Sequence, residues 1–233
     1  MIRSSLFSIF FFFGIILISL MFLPSFFLPK KIALIGGKVM GHWTGFCLKN
    51  ILSIEIIVKG KENIINNKKF FIASSHQSMF ETFYLQTIFN APVFILKKEL
   101  LKIPIFGWYL RKIGCISIKR DKISKDNLGF FESIFKIINK SKRPLIIFPQ
   151  GTRVLPNERP SFKKGASRIY EELKIDCQPV AINSGDVWPK KGFKQSNKTI
   201  TISILDPILA GLNKEEFLKD LETKIYAELD LLN

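Results

Sequence analysis

From Ser4 to Pro29 the chain carries no charged side chain, and Leu6 to Leu23 is almost wholly apolar. Such a run is long enough to enter or cross the hydrocarbon of a bilayer. A cleaved signal peptide is the competing reading. The run is longer than a usual signal core, and Pro24 and Phe26-Phe27 stand where a small-x-small cleavage site belongs. A retained anchor is therefore expected. Lys30, Lys31 and Lys38 follow the run, against Arg3 and the amino terminus before it, a bias that puts the downstream side in the cytoplasm. Pro24 and Pro29 leave a second geometry open, a helical hairpin that enters one leaflet and returns. Residues 30–52 mix Lys with Ile, Leu, Met, Trp43 and Phe46, and are expected to lie along the interface as an amphipathic helix. His42, between Gly41 and Trp43, has no acidic or cysteine neighbour and reads as an interfacial residue. The expected organisation is an anchor and interfacial helix over residues 1–52 and one catalytic-type domain over residues 53–233.

From about residue 53 short apolar runs alternate with helical patterns. Strands are expected at Ile54–Val58, Phe70–Ala73, Val93–Leu96, Cys115–Ile118, Leu145–Phe148, Val180–Asn183 and Thr199–Leu205. Helices are expected at Thr82–Phe89, Lys125–Asn139, Lys163–Leu173 and Lys214–Leu231. In the last of these Phe217, Leu221, Ile225 and Leu229 recur every four residues, a stripe that faces a core. This alternation predicts an α/β sandwich around a mostly parallel sheet. No internal repeat or low-complexity linker interrupts it.

The 233 residues hold 35 Lys and Arg against 19 Asp and Glu, a net charge of +16. That excess calls for an anionic partner: nucleic acid, an anionic membrane surface or a phosphorylated substrate. Nucleic acid ranks last, because the cations are spread along the chain, no binding module is present and the amino terminus is apolar. Cys47, Cys115 and Cys177 are odd in number and far apart, so neither a disulfide framework nor a zinc site is expected. Two histidines and three scattered cysteines make no transition-metal site. There is also no G-x-S-x-G turn, P-loop or dinucleotide glycine fingerprint.

The chemistry concentrates at Ser74-Ser75-His76-Gln77-Ser78-Met79-Phe80-Glu81, between an apolar strand and a helix. A histidine at that junction is suited to a site at the carboxyl edge of a sheet. Its imidazole takes a proton near neutral pH, and a carboxylate beside it fixes the tautomer. Five residues along a continuous helix turn about 140° away from the starting face, so His76 must sit before the helix if Glu81 is to reach it. Phe148-Pro149-Gln150-Gly151-Thr152-Arg153 follows another strand. Its Gly permits close backbone approach, its Thr offers a hydroxyl and its Arg a forked cation suited to phosphate. Lys97-Lys98, Arg111-Lys112 and Lys119-Arg120 bracket the apolar stretch from Leu100 to Leu110, which reads either as a lipid-facing surface or as a core helix with a solvated face. Arg120 follows a strand and is expected to share the sheet edge with His76 and Arg153.

Four blocks carry a resemblance to the glycerolipid acyltransferases: His76 to Glu81, Lys97 to Arg120, Phe148 to Arg153, and Gln178-Pro179-Val180-Ala181-Ile182-Asn183. They fall in the family's order over roughly residues 50–210 and look most like the bacterial 1-acylglycerol-3-phosphate acyltransferases. The resemblance implies an acyltransferase domain over residues 53–233, anchored at the inner membrane with its catalytic part on the cytoplasmic face. It implies that His76 is the general base and Glu81 its orienting carboxylate. Arg120, Gly151, Thr152 and Arg153 would hold the substrate phosphate, and Pro179 would shape the acyl-donor side. The implied reaction moves a fatty acyl group from acyl-CoA or acyl carrier protein, as co-substrate, to the sn-2 hydroxyl of lysophosphatidate, with no cofactor or metal. Anionic membrane lipids and acyl carrier protein are the implied partners.

The chain departs from the family pattern at Glu81, where Asp is usual, and at Gln150, where Glu is usual. Lys119 also stands where an acid is common. Two other readings stay open: another lysolipid acceptor, such as a lyso-ornithine lipid, and a membrane-tethered lipid-binding protein whose catalytic site has decayed.

Overall fold

The computed structural model describes residues 1–66, 68–118, 128–140 and 143–232, with the side chains of 128–131, 133 and 139 not described. Among the described residues seven strands form one sheet: β1 (Glu55–Lys59), β2 (Phe70–Ser74), β3 (Val93–Lys97), β4 (Ile116–Ile118), β5 (Leu145–Ile147), β6 (Asp176–Ile182) and β7 (Thr199–Ile204). Their order is β1-β7-β6-β2-β5-β3-β4, and among these described strands β6–β7 is the one antiparallel pair. Strand β2 is central, with Ile72 opposite Ile146 of β5 on one side and Gln178 of β6 on the other. All residues of β5 and β6 are buried, as expected where helices cover both faces of a parallel sheet. The architecture expected from the sequence is the one found.

The strand alternation sorts the core into two layers. Ile72, Val180 and Ile182 point to one face; Phe71, Ala73, Cys177 and Ala181 point to the other. The second layer is closed by α5 (Leu128–Lys140), α6 (Gly165–Leu173) and α7 (Lys214–Leu232). The stripe of Phe217, Leu221, Ile225 and Leu229 on α7 is fully buried there. The first layer is closed by α1 (Ile2–Met21), α2 (Lys30–Leu52) and α3 (Phe80–Ile88). Cys47, Leu48 and Leu52 of α2 share one cluster with the strand residues, so the N-terminal segment continues the core. Small residues let α2 approach α3: a Cβ on Gly41 would stand 2.6 Å from the Phe83 carbonyl oxygen.

Helix α1 docks through Ser4, Phe7, Phe11, Gly14 and Ile18, a spacing of three and four that marks one face of a helix. Phe7 and Phe11 both meet Trp188 edge-on, at 5.0 Å, and the indole of Trp43 lies where a Gly14 side chain would be. Both ends of α1 are tied down. The Lys194 backbone N–H donates to Ser4 Oγ (2.9 Å), and the Tyr109 hydroxyl donates to the Ser19 carbonyl (2.7 Å). The opposite face, with Ile9, Phe10, Phe13, Ile16, Leu17 and Leu20, is exposed.

Two local expectations shift. Strand β6 begins at Asp176, four residues before the expected Val180, because Gln178 and Pro179 are tolerated inside the sheet. The Gln178 amide is satisfied by the Ile65 N–H and the Leu205 carbonyl, and Pro179 pairs in register with Ala73. The stretch from Leu100 to Leu110 resolves into a 3₁₀ turn (Lys98–Lys102) and helix α4 (Phe106–Lys112), with Tyr109 and Leu110 buried and Trp108 exposed.

Candidate active site

Three strand ends meet at the carboxyl edge of the sheet. Strand β2 delivers Ser75 and His76, its neighbour β5 delivers Phe148 to Arg153, and its other neighbour β6 delivers Asn183 and Ser184. Ser75 closes the β2–β6 side: its N–H donates to the Val180 carbonyl (3.0 Å) and its hydroxyl accepts the Ile182 N–H (2.8 Å). On the β5 side the Gln150 side-chain carbonyl accepts the His76 backbone N–H at 2.7 Å. The His76 carbonyl accepts the Val154 N–H at 2.9 Å. The imidazole lies on the Phe148 ring, 4.0 Å between centroids and 17° from parallel. Backbone and ring of His76 are thus both held by the segment after β5.

His76 precedes the helix, as the spacing argument requires, since α3 begins at Phe80. Glu81, in the first turn, folds back over the helix start. Its Oε2 stands 3.2 Å from His76 Nδ1 and accepts the Ser78 N–H at 3.1 Å. Its Oε1 accepts the N–H groups of Gln77 (3.3 Å) and Ser78 (3.2 Å), and a hydrogen bond from the Ser184 hydroxyl. The extra methylene of Glu is absorbed by this curl. A helix start is a favourable place for an anion, and the donors replace the water that burial removed. A proton on Nδ1 completes a hydrogen bond to this acceptor and leaves the Nε2 lone pair free in the neutral ring. The His76 side chain keeps 13% of its surface exposed and Glu81 keeps none, so only the imidazole is accessible to a reactant.

Gly151 turns the chain after Gln150 with φ +76, a conformation that favours glycine. The turn leaves Gly151 partly exposed, Thr152 exposed and Arg153 half-buried at the edge that holds His76. Among the described residues no carboxylate forms an ion pair with Arg153. Lys190 reaches its carbonyl at 3.3 Å, adding a second cation to the turn. Of the other expected site residues, Arg120 lies outside the described residues, and so does Lys119. Pro179 is buried within β6 beside Ala73, below the edge rather than on it.

Ser184 adds to the expected residues, and its signal in the sequence is a small polar residue just past an apolar strand at this edge. Gln77 is a further addition to the expected residues: its side chain is buried and accepts the Gly185 N–H at 2.9 Å, fastening the His76 turn to the segment after β6. No group of three or more His, Cys, Asp or Glu gathers among the described residues.

The family model for acyltransferases matches residues 55–183, from β1 to the end of β6, and so includes His76, Glu81 and the Gly151–Arg153 turn. The chain belongs to the acyltransferase family. Within it, the 1-acyl-sn-glycerol-3-phosphate acyltransferase of Pseudomonas aeruginosa is 31% identical over 169 residues, 71% of this chain and 65% of that protein. The enzyme of the same name from Saccharomyces cerevisiae is 31% identical over 185 residues, 75% of this chain and 60% of that protein. The matched stretch thus spans somewhat under two thirds of these two relatives. The crystal structure of the 1-acyl-sn-glycerophosphate (LPA) acyltransferase PlsC from Thermotoga maritima superposes with a TM-score of 0.81. It covers 100% of this chain and 98% of that one, at 22% identity. The likeness in fold therefore extends over α1 and α2.

Proposed function

We propose that this acyltransferase moves a fatty acyl group from an acyl thioester to the sn-2 hydroxyl of 1-acylglycerol-3-phosphate, making phosphatidate. The observation that carries the reading is the buried Glu81 carboxylate on His76 Nδ1, beside the cationic turn at Arg153. The names of the relatives point to the same acceptor. In this reading Nε2 of His76 takes the proton of the acceptor hydroxyl while its oxygen attacks the thioester carbonyl. The tetrahedral adduct collapses, the C–S bond breaks, and the leaving thiolate recovers the proton from the imidazolium. No acyl-enzyme forms. Base assistance of this kind is typically worth about a hundred- to ten-thousandfold in rate. Arg153, with Arg120, Gly151 and Thr152, holds the phosphate and contributes orientation rather than proton transfer. Pro179 belongs to the acyl-donor side, and the donor is acyl-CoA or acyl carrier protein.

The reaction belongs at the cytoplasmic face of the inner membrane, with the exposed face of α1 in lipid. Of the two geometries open to α1, entry into one leaflet is favoured by its two tied ends: a helix crossing the bilayer cannot have Ser4 and Ser19 both bonded to one water-facing domain.

The test is thiol release by the purified full-length protein in detergent, given acyl-CoA with and without lysophosphatidate, beside His76→Ala. Acceptor-dependent release that disappears in the variant is expected. Release surviving in the variant removes His76 from the chemistry. Release supported equally by a phosphate-free lysolipid, such as lyso-ornithine lipid, removes the phosphate from recognition. Lysolipid binding without any turnover, with acyl-CoA and acyl carrier protein donors alike, is the signature of a decayed site. Arg153→Ala is expected to raise the KM for lysophosphatidate about tenfold or more, in keeping with loss of a charge-assisted contact, and to leave kcat largely intact.

A further inference from the structure

Glu81 is fully buried, so the direction its carboxylate faces is set by the donors packed around its two oxygens. On Oε1 the backbone contacts from Gln77 and Ser78 are long, at 3.3 and 3.2 Å, against about 2.9–3.0 Å for a usual N–H···O bond. The close contact on Oε1 is the Ser184 hydroxyl. Ser184 is fully buried, and Glu81 is its side-chain partner in the structure. Its backbone is fixed as well: the Ser184 carbonyl accepts the N–H groups of Val187 (3.2 Å) and Trp188 (2.8 Å), so the hydroxyl sits on a rigid turn after β6. The Ser78 hydroxyl is committed elsewhere, accepting the Phe80 N–H at 2.9 Å.

We infer that Ser184 is a positioning residue for the reaction: its hydroxyl locks the rotation of the Glu81 carboxylate so that Oε2 faces His76 Nδ1. The inference rests on the acyl-transfer reading of His76. Without Ser184, Oε1 keeps only these two long bonds, and the carboxylate turns to improve them at the expense of the Oε2–Nδ1 contact. The imidazole then loses what holds its proton on Nδ1, and Nε2 is no longer kept bare. The longer side chain makes this matter more in Glu81 than in the family's usual Asp, because one more rotatable bond has to be immobilised. Ser184 touches neither the reacting hydroxyl nor the thioester in this scheme. Its loss therefore acts on turnover and not on substrate affinity.

Three measurements on the full-length protein test this. First, Ser184→Ala is expected to lower kcat about ten- to a hundredfold, the range of a hydrogen bond to a charged group, with both KM values within about twofold of wild type. Ser184→Cys, nearly the same size with a weak S–H donor, should fall between the two, which separates loss of the donor from loss of packing. Second, the cost of Ser184→Ala should largely vanish in a Glu81→Asp background, because the shortened carboxylate withdraws from the hydroxyl; strong non-additivity is the mark of a direct coupling. Third, nitrogen-15 NMR of the two imidazoles should find His76 as the Nδ1–H tautomer in wild type and as a mixture in Ser184→Ala, with exposed His42 unchanged as the control. Additive costs, or a tautomer untouched by the substitution, would overturn the inference. If wild type transferred no acyl group at all, the functional reading would fail while the tautomer measurement still decided the role of Ser184.

Discussion

At Glu81 and Gln150 the chain departs from the residues usual in its family, and each departure has a physical account. The Glu81 carboxylate reaches His76 because its chain doubles back over the start of α3. Gln150 is 2% exposed and uses its side-chain oxygen on the His76 backbone N–H, a task an amide oxygen performs as well as a carboxylate oxygen. Gln150→Glu is accordingly expected to keep kcat within about threefold, since the acceptor survives. Gln150→Leu leaves a buried N–H without a partner, at a cost of about 1–3 kcal/mol in stability, and lowers kcat by releasing the His76 backbone. Denaturant unfolding beside initial rates checks both halves of this expectation. His76 and Glu81 were legible as a pair because their residue types and spacing are local. Gln150 and Ser184 reach the same pair across 74 and 103 residues of sequence, a proximity that no local pattern encodes.

Among the elements, α1 presents the clearest division of labour. One stripe is docked on the domain and the other is exposed and apolar. An epitope tag placed before Met1 should therefore lie on the same side of the membrane as the domain, as protease digestion of oriented vesicles would detect. A tag protected on the opposite side would mean that α1 crosses. The segment from Val154 to Lys164 is held against α7 by the Tyr226 hydroxyl, which donates to the Pro160 carbonyl, and by Glu222, which accepts the Phe162 N–H at 2.6 Å. Burial pushes the Tyr226 phenol up to about 12 from an ordinary 10.0, partly offset by Gln150. The unfolded chain loses that proton near pH 10 and the folded chain only near 12, so unfolding releases a proton in this window and stability falls as pH rises through it. Tyr226→Phe should flatten that part of the pH–stability curve, measured by chemical denaturation between pH 9 and about 12. The α7 stripe was legible because a four-residue repeat names a helix face. The docked stripe of α1 was hidden inside a run that is apolar on every side.

For the whole molecule the excess of cations and the exposed apolar face of α1 both fit the proposed seat of the domain in one leaflet of an anionic bilayer. Exposed Trp108 and Ile103, close to Lys102 and Arg111, extend the apolar and basic character beyond α1. Raising salt from 0.05 to 0.5 M shortens the screening length from about 14 to about 4 Å. Acyl transfer to lysophosphatidate in anionic vesicles should fall severalfold over that range, and transfer in neutral detergent micelles far less. An equal response in both would assign the charge to the substrate phosphate alone.

By itself the sequence determined the alternation of strands and helices, the α7 stripe, the long apolar run near the amino terminus and the placing of His76 in a turn ahead of a helix. These follow from side-chain periodicity and from what each residue allows its own backbone. The tertiary structure decided which strand ends stand side by side. The order β6-β2-β5 brings Ser184 and Gln150 to either flank of the His76–Glu81 pair, and the packing of α1 and α2 on α3 makes the apolar amino terminus part of the core. Both depend on how whole elements share one buried layer, a free energy summed over many distant contacts and written in no single stretch of the chain.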